Sequence, residues 1–174
     1  MSLDTLVLLV IVASFFIFMG VEVLWPSHRH LPAIPRWRLI GFAGFALSLA
    51  VNVFAPLELA QLVLPRMPDG GAVVNVTSDA AVEAYEGWGG YGSAKAALEH
   101  WTAILAAEQP RLRVYAVDPG DMNTRMHQEA EPGEDLSHLP DPVARVPALL
   151  TLIDPAGGHP SGRYKAADLL GVPA

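Results

Sequence analysis

The sequence predicts an α/β fold, with a parallel β-sheet flanked by helices and preceded by an N-terminal transmembrane helix. Two short apolar runs, 72–76 and 112–117, are rich in β-branched residues, which is typical of buried parallel strands. The segment 93–109 between them has a helical apolar stripe, so strand, crossover helix and strand form a βαβ unit. A long apolar run near the start of the chain predicts the transmembrane helix.

The composition indicates a folded protein and excludes several kinds of site. Of the 174 residues, 52% are hydrophobic and 17% are charged, which is too apolar for a disordered chain. The formal net charge is −7 and no basic stripe is present, so we expect no nucleic-acid partner. The chain has no cysteine, which excludes disulfides, thiolate nucleophiles and cysteine-based metal sites.

The apolar run 5–25 contains a single charged residue, Glu22. As a helix rising about 1.5 Å per residue it would be roughly 31 Å long, which matches the hydrocarbon core of a bilayer. A signal peptide would need a basic start and a small-residue cleavage site, whereas this run follows Asp4 and continues to Trp25. A buried helix of a soluble protein is the other alternative. We expect a transmembrane helix.

The segment 26–38 that follows is broken by prolines and is basic. It holds three arginines, whereas no Lys or Arg precedes the apolar run, so the positive-inside rule places the C-terminal part of the chain in the cytoplasm. His28 and His30 lack a third ligand nearby, and we interpret them as loop residues rather than a metal site.

A second apolar stretch, 39–56, leaves open whether the chain has one span or two. It contains Asn52 and ends at Pro56, and it merges into a segment with the pattern of an α/β protein. The predicted organisation is therefore a membrane segment with a basic linker at 1–50, with one span or two, and an α/β region at 51–174.

The predicted elements of the α/β region follow one another closely. Its first helix, 57–64, is separated by a Pro- and Gly-rich turn from the strand 72–76, and a loop then spans 77–90. The helix 93–109 ends at Pro110, and the second strand stops at Asp118. The helix's apolar stripe consists of Ala94, Leu98, Trp101 and Leu105.

Residues with catalytic chemistry come directly after the two strands, where ligands bind in such sheets. Ser78 follows the first strand, and Tyr91 and Lys95 lie four residues apart, hence on one face of the crossover helix. A neighbouring ammonium favours the phenolate and should lower the pKa of Tyr91 towards the range of proton exchange. The Ser78 hydroxyl could orient a carbonyl oxygen beside it.

Four motifs in order identify a family. They are Asn52 in a helix, Val-Asn-Val-Thr-Ser at 74–78, Tyr-Gly-Ser-Ala-Lys at 91–95 and Asp-Pro-Gly-Asp-Met-Asn-Thr at 118–124. From residue 51 to about residue 170 the chain resembles the C-terminal half of a short-chain dehydrogenase/reductase, whose fold is a Rossmann-like sheet.

The resemblance implies a role for each of these residues. Tyr91 would be the general acid/base, Lys95 would lower its pKa and bind the nicotinamide ribose, Ser78 would orient the substrate and Asn52 would anchor a proton-relay water. Pro119, Gly120 and Thr124 would line the nicotinamide end of an NAD or NADP site. The implied substrate is a small carbonyl compound or alcohol, and the helices 57–64 and 93–109 resemble a dimer interface.

A glycine pattern just before Tyr91 resembles a dinucleotide-binding loop, but we interpret it differently. Residues 87–92 fit Gly-x-Gly-x-x-Gly, but Gly87 lies eleven residues after Val76, whereas the dinucleotide fingerprint requires its first glycine directly after a strand. We interpret these residues as flexible glycines around Tyr91.

The first 51 residues depart from the family pattern, because they contain no glycine-rich loop after a strand. Their start faintly resembles the sterol desaturase/fatty acid hydroxylase family but lacks its histidine boxes, so no iron site is expected. We expect an NAD(P)-dependent oxidoreductase that is incomplete and binds its cofactor weakly. The alternatives are an inert membrane-anchored fragment or fusion product, and a two-span membrane protein with an acidic tail.

Overall fold

The fold is described from a computed structural model, which covers residues 43–131 and 133–171. The predicted transmembrane helix at 5–25 and the basic segment at 26–38 lie outside the described residues, as does the start of the second apolar stretch.

A three-stranded parallel sheet forms the centre of the described structure. Its strands are β1 (Ala72–Val76), β2 (Arg113–Asp118) and β3 (Gly162–Lys165), in the order β1-β2-β3. The two predicted strands are confirmed to within one residue at each end. β3 was not predicted, because the short sequence Gly-Arg-Tyr-Lys has no apolar run to mark it as a strand.

The first helix, α1 (Ala43–Arg66), is longer than the predicted helix 57–64. Its turns widen to a π-helix over Ala50–Phe54, directly before Pro56. Proline has no N–H for the carbonyl four residues earlier and its ring crowds that carbonyl, so a locally wide turn lets the helix continue through it. The predicted helix is therefore the C-terminal part of a longer element.

By length and apolar composition, α1 could cross a membrane, and it is the one such candidate in the described part of the chain. Its most apolar window has no buried residue. Leu47, Leu59 and Leu62 each leave more than 60% of their surface exposed. The helix thus presents an apolar surface that the described chain does not cover.

Helices cover both faces of the sheet. On one face α2 (Gly89–Glu108) packs Leu105 against Val114 and Leu112, and the end of α1 joins this cluster through Leu64. The predicted stripe is confirmed: Ala94, Leu98 and Leu105 are buried and Trp101 is half-buried.

The opposite face of the sheet is covered by two further helices, α4 (Val146–Ile153) and α5 (Ala166–Leu170). Leu152 of α4 packs against Tyr115 and Val117 of β2 in the second core cluster. A short helix, α3 (Arg125–Ala130), lies in the segment between β2 and α4. The predicted α/β fold, with a parallel sheet between helical layers, is confirmed for the described residues.

Candidate active site

The site begins at the carboxyl end of β1. The buried Thr77 continues the parallel pairing, because its N–H donates to the Val117 carbonyl at 2.8 Å. Ser78 then leaves the sheet: its Oγ accepts from the Ala80 N–H at 3.2 Å and donates to Asp79 Oδ1 at 2.9 Å. The Ser78 hydroxyl is therefore fixed at the edge of the sheet.

Lys95 approaches the same edge from α2. Its ammonium is buried and donates to the carbonyl of Val76, the last residue of β1, at 3.0 Å. The ammonium also lies 5.6 Å from the centre of the Tyr91 ring, one turn earlier on the helix. Burial lowers the pKa of Lys95. The structure thus brings together Ser78, Tyr91 and Lys95, as the strand ends and the helical spacing predicted.

The expected lowering of the Tyr91 pKa is wrong for this structure. Burial raises the pKa of Tyr91, and the carboxylates of Asp79 and Asp118 raise it further, while the neighbouring Ser78 hydroxyl acts in the opposite direction. Lys95, whose ammonium donates to the Val76 carbonyl, is not among the groups that shift the pKa of Tyr91. Tyr91 is therefore a neutral phenol at physiological pH.

Gly92 allows the start of α2 to approach the turn after Ser78. A Cβ at Gly92 would lie 2.7 Å from the carbonyl oxygen of Ala80, so another residue would push the helix away from the turn Asp79–Ala81. Gly87 has a positive φ of 83° and lies in the loop before the helix. The 3₁₀ turn separates these glycines from β1, which confirms that they do not form a phosphate-binding loop directly after a strand.

Two further aromatic residues lie beside Tyr91. The rings of Trp88 and Tyr91 meet edge to face at 5.7 Å, and Tyr85 lies 5.7 Å from Trp88. The Tyr85 hydroxyl donates to Asp79 Oδ2 at 2.6 Å, a bond that raises the pKa of Tyr85 to about 12. An aromatic wall therefore extends from Tyr91 to the exposed surface.

The loop after β2 forms the other side of the edge. Asp118 is buried, and its Oδ1 accepts from the N–H of Gly120, which has a positive φ of 70°. Thr124 follows, and its Oγ1 accepts from the His127 N–H at 3.1 Å as the N-cap of α3. Pro119 and Gly120 thus lie at the end of the strand adjacent to β1, as predicted.

Asn52 is not joined to the other candidate residues. It lies in the π-helical part of α1, where its Nδ2 donates to the Ser48 carbonyl at 3.0 Å. α1 does pack on the start of α2, since a Cβ at Gly90 would lie 3.5 Å from the Phe45 side chain. In the described part of the chain Asn52 makes no hydrogen bond to Ser78, Tyr91 or Lys95, and its relay role stays a prediction.

A charged network that the sequence analysis missed links the three strand ends. Arg163 of β3 donates through Nε to Glu99 Oε1 at 2.9 Å and through Nη2 to Asp118 Oδ2 at 3.1 Å. Its Nη2 also lies 3.4 Å from the Ser78 carbonyl, and Glu99 accepts from the Thr77 hydroxyl at 2.7 Å. Two residues in the sequence could have indicated this network: Glu99, which lies one helical turn after Lys95, and Asp118, which lies at the end of a predicted strand.

Comparison with known proteins relates this fold to one family. The chain is 33% identical over 135 residues to an uncharacterized oxidoreductase of Mycobacterium tuberculosis, which covers 70% of this chain and 51% of that protein. It is 38% identical over 84 residues to the benzil reductase ((S)-benzoin forming) of Saccharomyces cerevisiae, covering 45% of this chain and 32% of the relative. The chain thus spans about half or less of the length of these curated relatives.

A solved structure gives the same relationship. A short chain dehydrogenase from Escherichia coli CFT073, solved in complex with NADPH, superposes with a TM-score of 0.64 at 33% sequence identity. The match covers 68% of this chain and 51% of that structure. The family profile for short chain dehydrogenases matches residues 42–135, which is more than half of this chain. The chain belongs to the short chain dehydrogenase family.

Proposed function

We propose that the chain carries the catalytic half of an NAD(P)-dependent oxidoreductase that interconverts a small carbonyl compound and its alcohol. The observation that supports this most directly is the convergence of Ser78, Tyr91 and Lys95 at the carboxyl edge of the sheet. Ligands of open α/β sheets bind at this edge. The oxidoreductase relatives and the NADPH complex of a structural neighbour favour the same chemistry.

The proton chemistry follows from the two hydroxyl groups. A carbonyl oxygen placed at this edge lies within reach of the Tyr91 phenol and beside the Ser78 hydroxyl, which can donate to it once it releases its bond to Asp79 Oδ1. The Tyr91 phenol is protonated at neutral pH, so it carries the proton that the carbonyl oxygen needs to become a hydroxyl, although burial raises its pKa and makes it a weaker acid. A nicotinamide cofactor, when bound at this edge, would supply the hydride to the carbonyl carbon.

The residues present fit the nicotinamide end of a dinucleotide. Lys95 places a buried cation beside Tyr91, and Gly120, at a positive φ of 70°, carries no side chain at the carboxyl edge of the sheet. Much of the binding energy for a dinucleotide comes from its diphosphate on a glycine-rich loop at a helix start, and residues 1–51 show no such sequence after a strand. We therefore propose that this chain by itself binds NAD(P)H weakly and does not turn over.

The test uses the 174-residue chain alone. NADPH fluorescence titration should show weak binding, and reduction of carbonyl compounds should not be measurable for either the wild type or Tyr91→Phe. Turnover by the wild type that Tyr91→Phe abolishes would overturn the proposed inactivity while supporting the role of Tyr91. Equal turnover by both would contradict the assignment of Tyr91.

The exposed apolar surface of α1 favours a second candidate function, an inert membrane-anchored protein that keeps the sheet and helices. In either case we propose a membrane location with the C-terminal half in the cytoplasm, from the basic flank at 26–38. Flotation with lipid vesicles tests the attachment. Protection of the C-terminal half from protease in right-side-out vesicles would agree with this topology, and its digestion there would contradict it.

A further inference from the structure

The guanidinium of Arg145 lies against the loop that contains Gly120. Arg145 ends the 3₁₀ turn Pro142–Arg145 and directly precedes α4. Its Nη2 is 3.8 Å from the position that a Cβ would occupy on Gly120. Because Gly120 follows β2 at the carboxyl edge of the sheet, the guanidinium lies where ligands of such sheets bind.

Arg145 differs from the other arginines in the described residues, because its side chain makes no hydrogen bond or ion pair there. Its Nε is buried and has no partner. The other five all donate to a carbonyl or a carboxylate: Arg66, Arg111, Arg113, Arg125 and Arg163. In the described residues, the other arginines thus have hydrogen-bond acceptors, whereas Arg145, beside the candidate site, has none.

An unpartnered buried N–H destabilises a folded protein, so such groups call for an explanation. The carboxylate of Asp118, which precedes this loop, accepts from the Gly120 N–H and from Arg163 and makes no hydrogen bond to Arg145 in the described structure. A guanidinium presents a planar fork of donors that matches the oxygens of phosphates and carboxylates. The Nη donors of the same guanidinium, which the described residues also leave without a hydrogen bond, are the ones that a ligand oxygen at the Gly120 loop would accept from.

We propose that Arg145 binds an anionic oxygen of a ligand at the Pro119–Gly120 loop. Two sources have this chemistry: the diphosphate of the nicotinamide cofactor and the carboxylate of an acidic substrate. If the anion is the diphosphate of the cofactor, the proposal rests on the function proposed above. Binding of an anion at this site does not itself require turnover. The proposal assigns to Arg145 a binding role that no sequence motif of the chain indicates.

The experiment follows the Nε–H signal of Arg145 by nuclear magnetic resonance in the full chain, with inorganic pyrophosphate as the probe. The signal is assigned by its loss in Arg145→Lys. Pyrophosphate should shift it in a saturable manner. Arg145→Met should weaken pyrophosphate binding by about tenfold or more, as expected for a charge-assisted hydrogen bond, and Arg145→Lys should retain part of the affinity.

Arg125→Met is the matched control. Arg125 also lies in the segment after β2, but its side chain is exposed and pairs with Glu129 one turn along α3. This control should leave pyrophosphate affinity within about twofold of the wild type. Unchanged affinity in Arg145→Met, or an equal loss in Arg125→Met, would overturn the proposal. Should Arg145→Met fail to fold, the Nε–H shift in the wild type and the affinity of Arg145→Lys decide the question.

Two further titrations distinguish the sources. If the cofactor supplies the anion, Arg145→Met weakens NADPH binding and leaves pyruvate binding unchanged. If an acidic substrate supplies it, the variant weakens pyruvate binding and not that of NADPH. Either result supports the anion site, and an effect on neither ligand overturns it. Because these readouts measure binding and not carbonyl reduction, failure of the anion site and failure of the proposed catalytic role of Tyr91 are distinguishable.

Discussion

Nη2 of Arg163 donates to Oδ2 of Asp118 at 3.1 Å, and this contact ties the edge strand β3 to the loop that contains Gly120. The Asp118 side chain is almost fully buried and that of Arg163 is 26% exposed, so the pair is largely shielded from water. The same guanidinium binds Glu99 of α2. One arginine therefore holds three elements of the site in register.

Replacing Arg163 should destabilise the fold. Arg163→Met leaves the carboxylates of Asp118 and Glu99 without their cation, and we expect the free energy of unfolding to fall by about 2 to 3 kcal/mol, less than for a fully buried pair because Arg163 is partly exposed. Urea denaturation measures the loss. The exposed pair at Arg125 is the control, and Arg125→Met should change stability by less than about 0.5 kcal/mol. Equal losses of stability in the two variants would show that the buried network stabilises the fold no more than the exposed pair does.

A second prediction compares two glycines in the first turn of α2. A Cβ at Gly92 would meet the Ala80 carbonyl at 2.7 Å, whereas one at Gly89 would meet nothing within 4 Å. Gly92→Ala should lower the free energy of unfolding by about 1 to 2 kcal/mol, because the clash outweighs the higher helix propensity of alanine. Gly89→Ala should leave it unchanged or raise it by up to about 0.5 kcal/mol. Thermal and urea unfolding of both variants measure this difference, and a stable Gly92→Ala would contradict the close approach.

The raised pKa of Tyr91 predicts a loss of stability in alkali. The folded state holds the phenol proton more strongly than the unfolded chain, in which tyrosine titrates near pH 10. The stabilisation is therefore present below about pH 10 and is lost as pH rises through the folded-state pKa. The Tyr91→Phe variant should lose less stability than the wild type as the pH rises above about 10. Tyrosinate absorbance provides a second readout, and a Tyr91 that ionises below about pH 10 would contradict the assigned direction.

Much of this arrangement could be predicted from sequence because it depends on local patterns. The β-branched run of β1, the apolar stripe of α2 and the spacing of Tyr91 and Lys95 all lie within one or two elements. β3 has no such pattern, and Arg163 contacts Glu99 across 64 positions of sequence. These features depend on the register of the third strand, which the sequence did not indicate.

The direction of the Tyr91 pKa was wrong for a related reason. The helical spacing correctly placed Lys95 near the phenol, but it could not show that the ammonium donates to the Val76 carbonyl. It also could not show that the negative charges of Asp79 and Asp118 lie near enough to raise the pKa of the phenol. Electrostatic environments are set by groups from several elements, whereas periodicity reports on one element at a time.

The uncovered surface of α1 predicts self-association. Leu59 and Leu62 are 62% and 66% exposed, and uncovered apolar surface of this kind favours association with another copy. Leu59→Glu and Leu62→Glu should shift the chain in detergent towards the monomer, as measured by light scattering. Gln61→Glu adds the same charge at an exposed polar position of the same helix and should leave the mass unchanged. A monomeric wild type would count against this prediction.

The central claim is that Ser78, Tyr91 and Lys95 form a competent catalytic half. Its most direct test is a chimaera in which the N-terminal half of the Escherichia coli CFT073 relative replaces the residues before position 42, where the family match begins. With NADPH and a small aromatic ketone, we expect the chimaera to reduce the carbonyl and its Tyr91→Phe variant to be slower by at least about a hundredfold, the loss typical of removing a general acid. Equal rates for the two chimaeras, or a folded chimaera that binds NADPH without turnover, would contradict the claim.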